Sequence, residues 1–292
     1  MLRRSLVMAS NCSRRLIAVC QMTSSNNKER NLEVVAQLVK EASSVGAKAV
    51  FLPECFDYVG ENRSQTVELA EPLHGDTINR MKKVAAECNV WLSLGGFHEK
   101  GPLEDERKVY NSHVLIDNHG VIKEVYRKTH LFDVNMKGGA VLKESEYVIP
   151  GTCLSPPVAS PVGKIGMQVC YDIRFPELSC TQAQMGADIL TFPSAFTVVT
   201  GMAHWEVLLR ARAIDNQCYV VAAAQVGQHT EQRRSYGHAM VVDPWGAVVS
   251  QCSEGVGFCL ANLDIDYLEK VREGMPIWKH RRYDLYNNPL KT

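Results

Sequence analysis

Apolar and polar residues along the chain repeat with two periods, one typical of strands and one typical of helices. In the first half, the strand pattern is found at residues 16–22, 49–52, 90–97, 110–117 and 121–127. Apolar residues at helical spacing lie between these runs, at residues 31–44 and 76–88. The last two strands flank Asn118-His119-Gly120, a turn sequence that predicts a hairpin.

The second half carries the same two patterns after one long irregular segment. Residues 128–161 are rich in glycine and proline, and a loop of that length inside a compact domain usually has a function. The strand pattern then recurs at residues 164–169, 189–192, 218–224, 238–242, 247–250 and 257–263. Helices are predicted to start near Asp172 and to span residues 203–214 and 267–272.

The combination of strand–helix alternation with hairpins predicts an α/β fold. It favours two sheets that pack face to face and carry helices on their outer faces. No break in composition divides the body of the chain. We therefore predict one domain at residues 15–279, a leader at residues 1–14 and a tail at residues 280–292.

Composition excludes several classes of protein. The 292 residues include 32 basic and 32 acidic side chains, and this balance argues against electrostatic binding to nucleic acid or to a membrane surface. No apolar run approaches the roughly 18 residues of a membrane-spanning helix. The ten cysteines form no Cys-x-x-Cys pair and lie mostly in apolar runs, which is typical of reduced thiols in the cytosol or the mitochondrial matrix. Metal-ligand spacings, phosphate-binding glycine loops and the Gly-x-Ser-x-Gly elbow are absent.

The first 28 residues differ from the rest, because they contain arginines and serines and no acidic residue before Glu29. This composition predicts a mitochondrial transit peptide, and a short disordered leader is the alternative. Met8 offers a second start that would remove Arg3 and Arg4. We therefore expect a mitochondrial and a cytoplasmic form.

Cys170 lies where the strand pattern of residues 164–169 gives way to a helix start marked by Asp172, Pro176 and Glu177. A thiol at this junction meets the positive end of the helix dipole, which favours the nucleophilic thiolate. The free N–H groups that follow can bind an oxyanion. The alternative is a buried cysteine that serves only as a small apolar side chain.

Glu54 and Lys128 share a local design with Cys170, because each of the three follows a short apolar strand. Ligands in α/β sheets collect beyond the carboxyl ends of strands, so the three side chains are expected to meet there. Taken singly, Glu54 fits a helix cap or a surface acid, and Lys128 fits one more charge on a hairpin. Together they supply a base, a cation and a nucleophile for amide hydrolysis.

Three ordered motifs resemble the signatures of the carbon–nitrogen hydrolases, the nitrilase superfamily. The motifs are Leu52-Pro53-Glu54, Tyr126-Arg127-Lys128-Thr129-His130-Leu131-Phe132 and Cys170-Tyr171-Asp172-Ile173-Arg174-Phe175-Pro176-Glu177. Segments at residues 91–99, 192–196, 203–214 and 235–246 are similar to the Nit branch of that family. The resemblance runs from about residue 16 to residue 286. It implies a four-layer α-β-β-α sandwich that associates into homodimers or homotetramers.

The resemblance also implies roles for individual residues. Glu54 is expected to act as general base, Lys128 as the cation that binds the oxyanion and Cys170 as the nucleophile. The backbone N–H of Tyr171 would complete the oxyanion hole. A thioester would form and be hydrolysed, and no cofactor is required.

A second acid orients these groups in the family, and Glu144 occupies the matching place in the long loop. Glu146 is two residues further on and leaves the alignment of the loop open. A solvated loop acid is the alternative for Glu144.

Substrate selection rests on three further residues. Arg174, four residues after the nucleophile, suits a bidentate hold on a substrate carboxylate, and a salt bridge to Glu177 is the alternative. By resemblance, Phe196 and Thr200 are expected in the pocket wall.

The implied substrate is a small amide, glutathione whose amino group has become a 2-oxo group (deaminated glutathione). Its products would be 2-oxoglutarate and cysteinylglycine, in a metabolite-repair reaction. An ω-amidase that acts on 2-oxoglutaramate or a similar dicarboxylate monoamide is the nearest alternative. A true nitrilase fits the resemblance less well. A different class is an interaction protein with a vestigial site, whose mark would be the loss of one of the three chemical residues.

Overall fold

The computed structural model describes residues 15–288 except residues 103, 104, 106 and 136–140. The predicted leader at residues 1–14 and the last four residues of the predicted tail lie outside the described residues. Among the described residues, no helix is both long and apolar enough to cross a membrane.

Strands and helices follow one another much as the periodicity predicts. The strands are β1 (Leu16–Met22), β2 (Ala49–Leu52), β3 (Trp91–Lys100), β4 (Val109–Ile116), β5 (Ile122–Arg127), β6 (Asp133–Asn135), β7 (Val141–Lys143), β8 (Val158–Ser160), β9 (Gly163–Met167), β10 (Ile189–Thr191), β11 (Tyr219–Ala222), β12 (Ala224–Gln228), β13 (Arg234–Tyr236), β14 (Met240–Val242), β15 (Val248–Gln251) and β16 (Gly257–Asn262). The α-helices are α1 (Lys28–Ser44), α2 (Arg63–Glu68), α3 (Asp76–Cys88), α4 (Pro176–Gln184), α5 (Val198–Asn216), α6 (Ile265–Gly274) and α7 (Ile277–His280). Short 3₁₀ helices cover Glu144–Glu146 and Cys170–Arg174.

Two mixed sheets form the body. The larger has the order β13-β12-β1-β2-β3-β4-β5, with β16 antiparallel to β1. The smaller has the order β15-β14-β11-β10-β9-β8. The neighbours β1, β2 and β3 are parallel, as are β9, β10 and β11. The carboxyl ends of β2 and of β9 therefore each lie at an edge where neighbouring parallel strands also end.

Alternate residues of β1 face two different cores, as the period of a strand requires. Ile17 and Val19 face the core that contains both sheets and the helices α4 and α5, whereas Ala18, Cys20 and Met22 face the core covered by α1 and α3. A strand buried on both faces explains the apolar run at residues 16–22. The layers are therefore helices, sheet, sheet and helices, and the predicted four-layer α-β-β-α sandwich is confirmed.

Two local predictions differ from the structure. The strand predicted at residues 218–224 is divided, because the chain leaves the smaller sheet after β11 and enters the larger one as β12, where Ala224 pairs with Gln21 of β1. The helix predicted to start near Asp172 is also divided. Phe175 adopts an extended conformation, with φ −110° and ψ 90°, and α4 begins at Pro176. Proline disfavours the helical conformation in the residue before it, which explains the break.

Candidate active site

Glu54, Lys128 and Glu144 lie together at the carboxyl ends of the central strands. Glu54 follows β2 and Lys128 follows β5, and the Lys128 Nζ lies 3.0 Å from Glu54 Oε1. The same Nζ is 2.9 Å from Glu144 Oε2 and 3.0 Å from Glu144 Oε1. Only 4% of Glu54 and 2% of Lys128 is exposed, so neither is a surface charge.

Cys170 is positioned by the loop that follows β10. Its backbone N–H donates to the carbonyl of Pro193 at 3.0 Å. Its φ is +47°, in the left-handed region that disfavours side chains other than glycine. Strained residues of this kind cluster at active sites, although they also end helices, as Asn89 and Gln217 do here. The Cys170 thiol lies close enough to the Glu54 carboxylate for each group to shift the pKa of the other, so the structure brings sulfur, acid and amine together.

Two groups that the sequence did not single out hold Glu54 in place. The Asn111 side chain donates from Nδ2 to Glu54 Oε1 at 2.8 Å, and the Ala195 backbone N–H donates to Glu54 Oε2 at 2.9 Å. Asn111 is a buried amide in β4, but its neighbours Ser112 and His113 are also buried and polar, so the sequence of the strand does not single it out. Ala195 acts through its main chain and leaves no signal in the sequence.

Glu144, and not Glu146, faces Lys128. A Glu144 carboxylate oxygen accepts from the Phe132 N–H at 2.7 Å, and the other accepts from Asn111 at 3.3 Å. Glu144 is buried, whereas Glu146 points outward and pairs with Arg63. The 3₁₀ helix at Glu144–Glu146 separates the two acids in this way. The solvated-loop alternative for Glu144 does not fit this burial.

The charges of this buried cluster stabilise one another. Burial acts to lower the pKa of Lys128, but the carboxylates of Glu144 and Glu54 raise it well above its ordinary value. Burial acts to raise the pKa of Glu54, and the charge of Lys128 with hydrogen bonds from Cys170, Asn111 and Lys128 lowers it below its ordinary value. At neutral pH the site therefore holds an ammonium and a carboxylate.

The expected thiolate at Cys170 is not what the structure favours. Burial, and then the negative charge of Glu54, raise the pKa of the Cys170 thiol well above its ordinary value, and Lys128 offsets only part of this. The 3₁₀ helix at Cys170–Arg174 has only five residues, which limits its dipole. Cys170 is thus a thiol at neutral pH, and Glu54 is the group placed to take its proton.

The backbone N–H of Tyr171 is available to an oxyanion. Its neighbours Cys170 and Asp172 donate their N–H groups to the carbonyls of Pro193 and Val169. Within the described part of the chain, the Tyr171 N–H makes no hydrogen bond. Unpaired donors are characteristic of a helix start, and this one lies directly after the sulfur-bearing residue.

Arg174 faces aromatic rings and a histidine. Its guanidinium carbon lies 5.7 Å from the centroid of the Phe196 ring, and its Nη2 lies 3.3 Å from Nδ1 of His204. Among the ion pairs of the described residues, none joins Arg174 to Glu177, so the salt-bridge alternative finds no support. Phe196 lies beside Arg174, whereas the hydroxyl of Thr200 bonds to that of Thr197, which caps α5.

Asp172 joins the segment of Lys128 to the segment of Cys170. Its buried carboxylate accepts from the Val169 N–H at 2.9 Å and from the Tyr126 hydroxyl at 2.9 Å, and it lies 2.7 Å from Nδ1 of His130. The sequence indicated only a helix cap at this position. Asp172 is instead a positioning residue, and two of the three motifs meet at its carboxylate.

Known proteins resemble this chain over most of its length. The family model described as carbon–nitrogen hydrolase matches residues 16–273. The deaminated glutathione amidase of Rattus norvegicus is 55% identical over 276 residues, which cover 94% of this chain and 84% of the rat protein. That of Mus musculus is 56% identical over 274 residues, which cover 94% of this chain and 85% of the mouse protein.

Among solved structures, the crystal structure of the Caenorhabditis elegans NitFhit protein matches with a TM-score of 0.89 and 50% identity. The match covers 94% of this chain and 66% of that one, so the chain spans just under two thirds of that protein's length. The family model and these relatives all cover nearly the whole chain. The chain therefore belongs to the carbon–nitrogen hydrolase family, the nitrilase superfamily.

Proposed function

We propose that this protein is a cysteine-dependent amidase that hydrolyses deaminated glutathione to 2-oxoglutarate and cysteinylglycine, a metabolite-repair reaction. The observation that carries the proposal is the buried contact of Glu54 with both Lys128 and the thiol of Cys170. The rat and mouse relatives named for this activity support the choice of substrate. All three chemical residues are present, which argues against an interaction protein with a vestigial site.

The first half-reaction begins with proton transfer. Glu54 accepts the proton of Cys170 while the sulfur attacks the amide carbon, and the Lys128 ammonium and the Tyr171 N–H bind the oxyanion. The tetrahedral intermediate then collapses as Glu54 returns the proton to the amide nitrogen. The carbon–nitrogen bond breaks, cysteinylglycine leaves, and a 2-oxoglutaryl thioester remains on Cys170.

The second half-reaction reverses these proton movements. Glu54 removes a proton from water as the oxygen attacks the thioester carbon, and the same two donors bind the oxyanion. The carbon–sulfur bond breaks, 2-oxoglutarate is released and Cys170 regains its proton. Glu144 serves throughout by holding the Lys128 ammonium in place. These residues complete the cycle without a cofactor.

Arg174 is proposed to bind the carboxylate at the 2-oxo acid end of the substrate. Arg174 contacts His204 and has no carboxylate partner among the described residues. Its guanidinium is therefore available to a substrate carboxylate. Arginine binds carboxylates in a bidentate manner, so it would fix the acyl chain as well as attract it. Phe196 and Thr200 are proposed to line the pocket on this side.

A direct test compares deaminated glutathione with 2-oxoglutaramate as substrates. We expect cysteinylglycine and 2-oxoglutarate from the former, identified by mass spectrometry, and a higher kcat/KM than for 2-oxoglutaramate. The physical reason is that cysteinylglycine offers contacts that ammonia lacks. A higher kcat/KM for 2-oxoglutaramate would favour the ω-amidase alternative, and nitrile hydrolysis without amide hydrolysis would favour a nitrilase.

The pH profile of kcat/KM is expected to be flat from about pH 5 to about pH 9. Glu54 must be unprotonated to accept the thiol proton, so activity is lost as pH falls through its pKa, which lies below the ordinary value of 4.5. The pKa values of Cys170 and Lys128 lie well above 9.0 and 10.5, so neither group limits activity below about pH 9. Initial rates in overlapping buffers, with circular dichroism to monitor folding, measure this. An acid limb centred near pH 6 would contradict the assignment of Glu54.

Self-association into homodimers or homotetramers is proposed through α5. Val199, Met202 and Val207 of this helix are about 70% exposed. Trp245 is 58% exposed and lies on a turn beside α5, where the Arg210 side chain donates to the carbonyl of Gly246. Apolar groups gathered on one face usually mark a protein interface. Light scattering should give a multiple of the chain mass that Val207→Glu reduces, and a monomeric wild type would contradict this.

A mitochondrial and cytoplasmic distribution is proposed from the arginines and serines of the first 28 residues and from Met8. Fluorescent tags on the full chain and on a form that begins at Met8 test this. Identical distributions of the two forms would contradict it.

A further inference from the structure

Arg233 lies on the Glu54 side of the active site. It belongs to the loop between β12 and β13, and its Nη2 is 3.9 Å from Sγ of Cys55, the residue after Glu54. The strand pairing explains this position. β12 and β2 lie on opposite sides of β1 and run parallel to it, so both end near Glu54. Gln225 of β12 fixes the approach by donating to the carbonyls of Glu54 and Cys55 at 2.9 and 3.2 Å.

The guanidinium of Arg233 has no carboxylate partner among the described residues. Glu54, whose charge acts on Arg233, already pairs with Lys128. Asp57, two residues after Cys55, pairs with His98 at 2.9 Å. Asp57 and Cys55 overcome the effect of burial and raise the pKa of His98 to about 10, so His98 adds a second cation behind Cys55. Arg233 is half-buried, and charges withdrawn from solvent in proteins are normally paired. An unpaired guanidinium beside catalytic groups is thus prepared for an anion that arrives with the substrate.

The proton path determines which part of the substrate lies near Arg233. In the mechanism proposed above, Glu54 gives the proton to the departing nitrogen, so that nitrogen must face Glu54. The leaving group therefore extends on the Glu54 side, where Cys55 and Arg233 lie. The acyl chain extends on the other side of the scissile bond, along the Cys170–Arg174 helix that carries Arg174.

We propose that Arg233 binds the terminal carboxylate of the leaving group, the glycine carboxylate of cysteinylglycine, while Arg174 binds the carboxylate of the acyl end. This inference rests on the proposed function and deepens it. It makes Arg233 a specificity-determining residue, because an amide whose leaving group is ammonia has no carboxylate to offer it. Loss of one charge-assisted hydrogen bond reduces kcat/KM by roughly 10–100-fold.

The experiment varies both the protein and the substrate. Deaminated glutathione, its analogue with a C-terminal glycinamide and 2-oxoglutaramate are compared as substrates of the wild type and of Arg233→Gln. For the wild type we expect kcat/KM to fall roughly 10–100-fold when the terminal carboxylate becomes an amide. Arg233→Gln should lower kcat/KM for deaminated glutathione by a similar factor. The variant should then hydrolyse deaminated glutathione and its glycinamide analogue equally well.

Arg234→Gln is the matched control, because Arg234 is the next residue along the chain and its side chain is exposed. This variant should prefer deaminated glutathione over the glycinamide analogue as strongly as the wild type does. Arg233→Lys, which keeps the charge without the planar fork, should recover part of the preference. Thermal unfolding of each variant reports on folding.

The outcomes separate this inference from the proposed function. A wild type that hydrolyses deaminated glutathione but uses the glycinamide equally well overturns the role of Arg233 alone, whether or not the variants fold. An Arg233→Gln variant that lowers kcat/KM equally for all three substrates also overturns it. A wild type that hydrolyses only 2-oxoglutaramate overturns the proposed function, and this inference with it.

Discussion

Cys170→Ala is expected to bind the substrate but to turn it over about 10⁴-fold more slowly than the wild type, or slower still. Without the sulfur, no atom of the side chain can attack the amide carbon, and the Glu54 carboxylate has no thiol proton to accept. Product formation followed by mass spectrometry measures the loss. Acid quenching of the wild type during turnover should also trap an adduct of one 2-oxoglutaryl group, which Cys170→Ala lacks.

Cys180→Ala is the control for this experiment. Cys180 is also a buried cysteine, but it lies on α4 and outside the Glu54–Lys128–Glu144 cluster. Its replacement should retain turnover and the trapped adduct, with at most a loss of stability from the small cavity. Turnover by Cys170→Ala at a rate near that of the wild type would contradict the thioester mechanism.

The sequence predicted those site residues whose signal is local. Glu54, Lys128 and Cys170 each follow a recognisable apolar run, and the rule that ligands collect at the carboxyl ends of strands brings them together. Asn111 carries no such local signal, because its two partners come from distant parts of the chain. Ala195 contributes a backbone N–H, which any residue except proline would supply.

The thiolate prediction was wrong for a related reason. A helix start is visible in the sequence after Cys170, and its dipole favours the ionised sulfur. Burial and the nearby carboxylate of Glu54 depend on the tertiary fold, and in the structure they have the larger effect. The ionisation of this thiol could not be predicted from the local sequence, because the two largest effects on its pKa come from the tertiary fold.

The fold shows the same division between local and distant information. Periodicity predicted most strands and helices and two packed sheets with helices on their outer faces, and the family resemblance implied the four-layer sandwich. It did not predict that residues 218–224 change sheets, because nothing local marks the pairing of Ala224 with Gln21, far away in the sequence. That change of sheet places Gln225 against Glu54 and Cys55, so a feature that periodicity missed builds part of the site.

Lys128→Met is expected to reduce both activity and stability. Removal of one oxyanion donor costs roughly 10²–10³ in kcat, and removal of one partner from a buried charge cluster costs about 3–5 kcal/mol of unfolding free energy. In the wild type the Lys128 ammonium contacts the carboxylates of Glu54 and Glu144 at 3.0 and 2.9 Å. Without it, these two carboxylates face each other with only the Asn111 amide between them.

The sign of the pH dependence distinguishes this effect from simple loss of packing. In the wild type the pKa of Glu54 is lowered, so its charge stabilises the fold at any pH above the pKa that Glu54 has in the unfolded chain. This stabilisation is lost as the pH falls through the lowered pKa of the folded state. In Lys128→Met, the neighbouring carboxylate and the loss of the ammonium raise the pKa of Glu54, and its protonation at lower pH relieves the repulsion. The deficit in unfolding free energy should therefore shrink from pH 8 to pH 5, as measured by urea denaturation.

A second variant separates the two roles of Lys128. In the double variant Lys128→Met, Glu144→Gln, one of the two facing carboxylates is gone. We expect the double variant to recover part of the stability lost in Lys128→Met and none of the lost activity. Lys123→Met replaces an exposed lysine on β5, the strand that precedes Lys128. It is the control and should behave as the wild type in both assays. A Lys128→Met protein as stable as the wild type at pH 8 would refute the buried charge cluster. An active one would refute the oxyanion role, because in the proposed mechanism the only other donor to the oxyanion is the Tyr171 N–H.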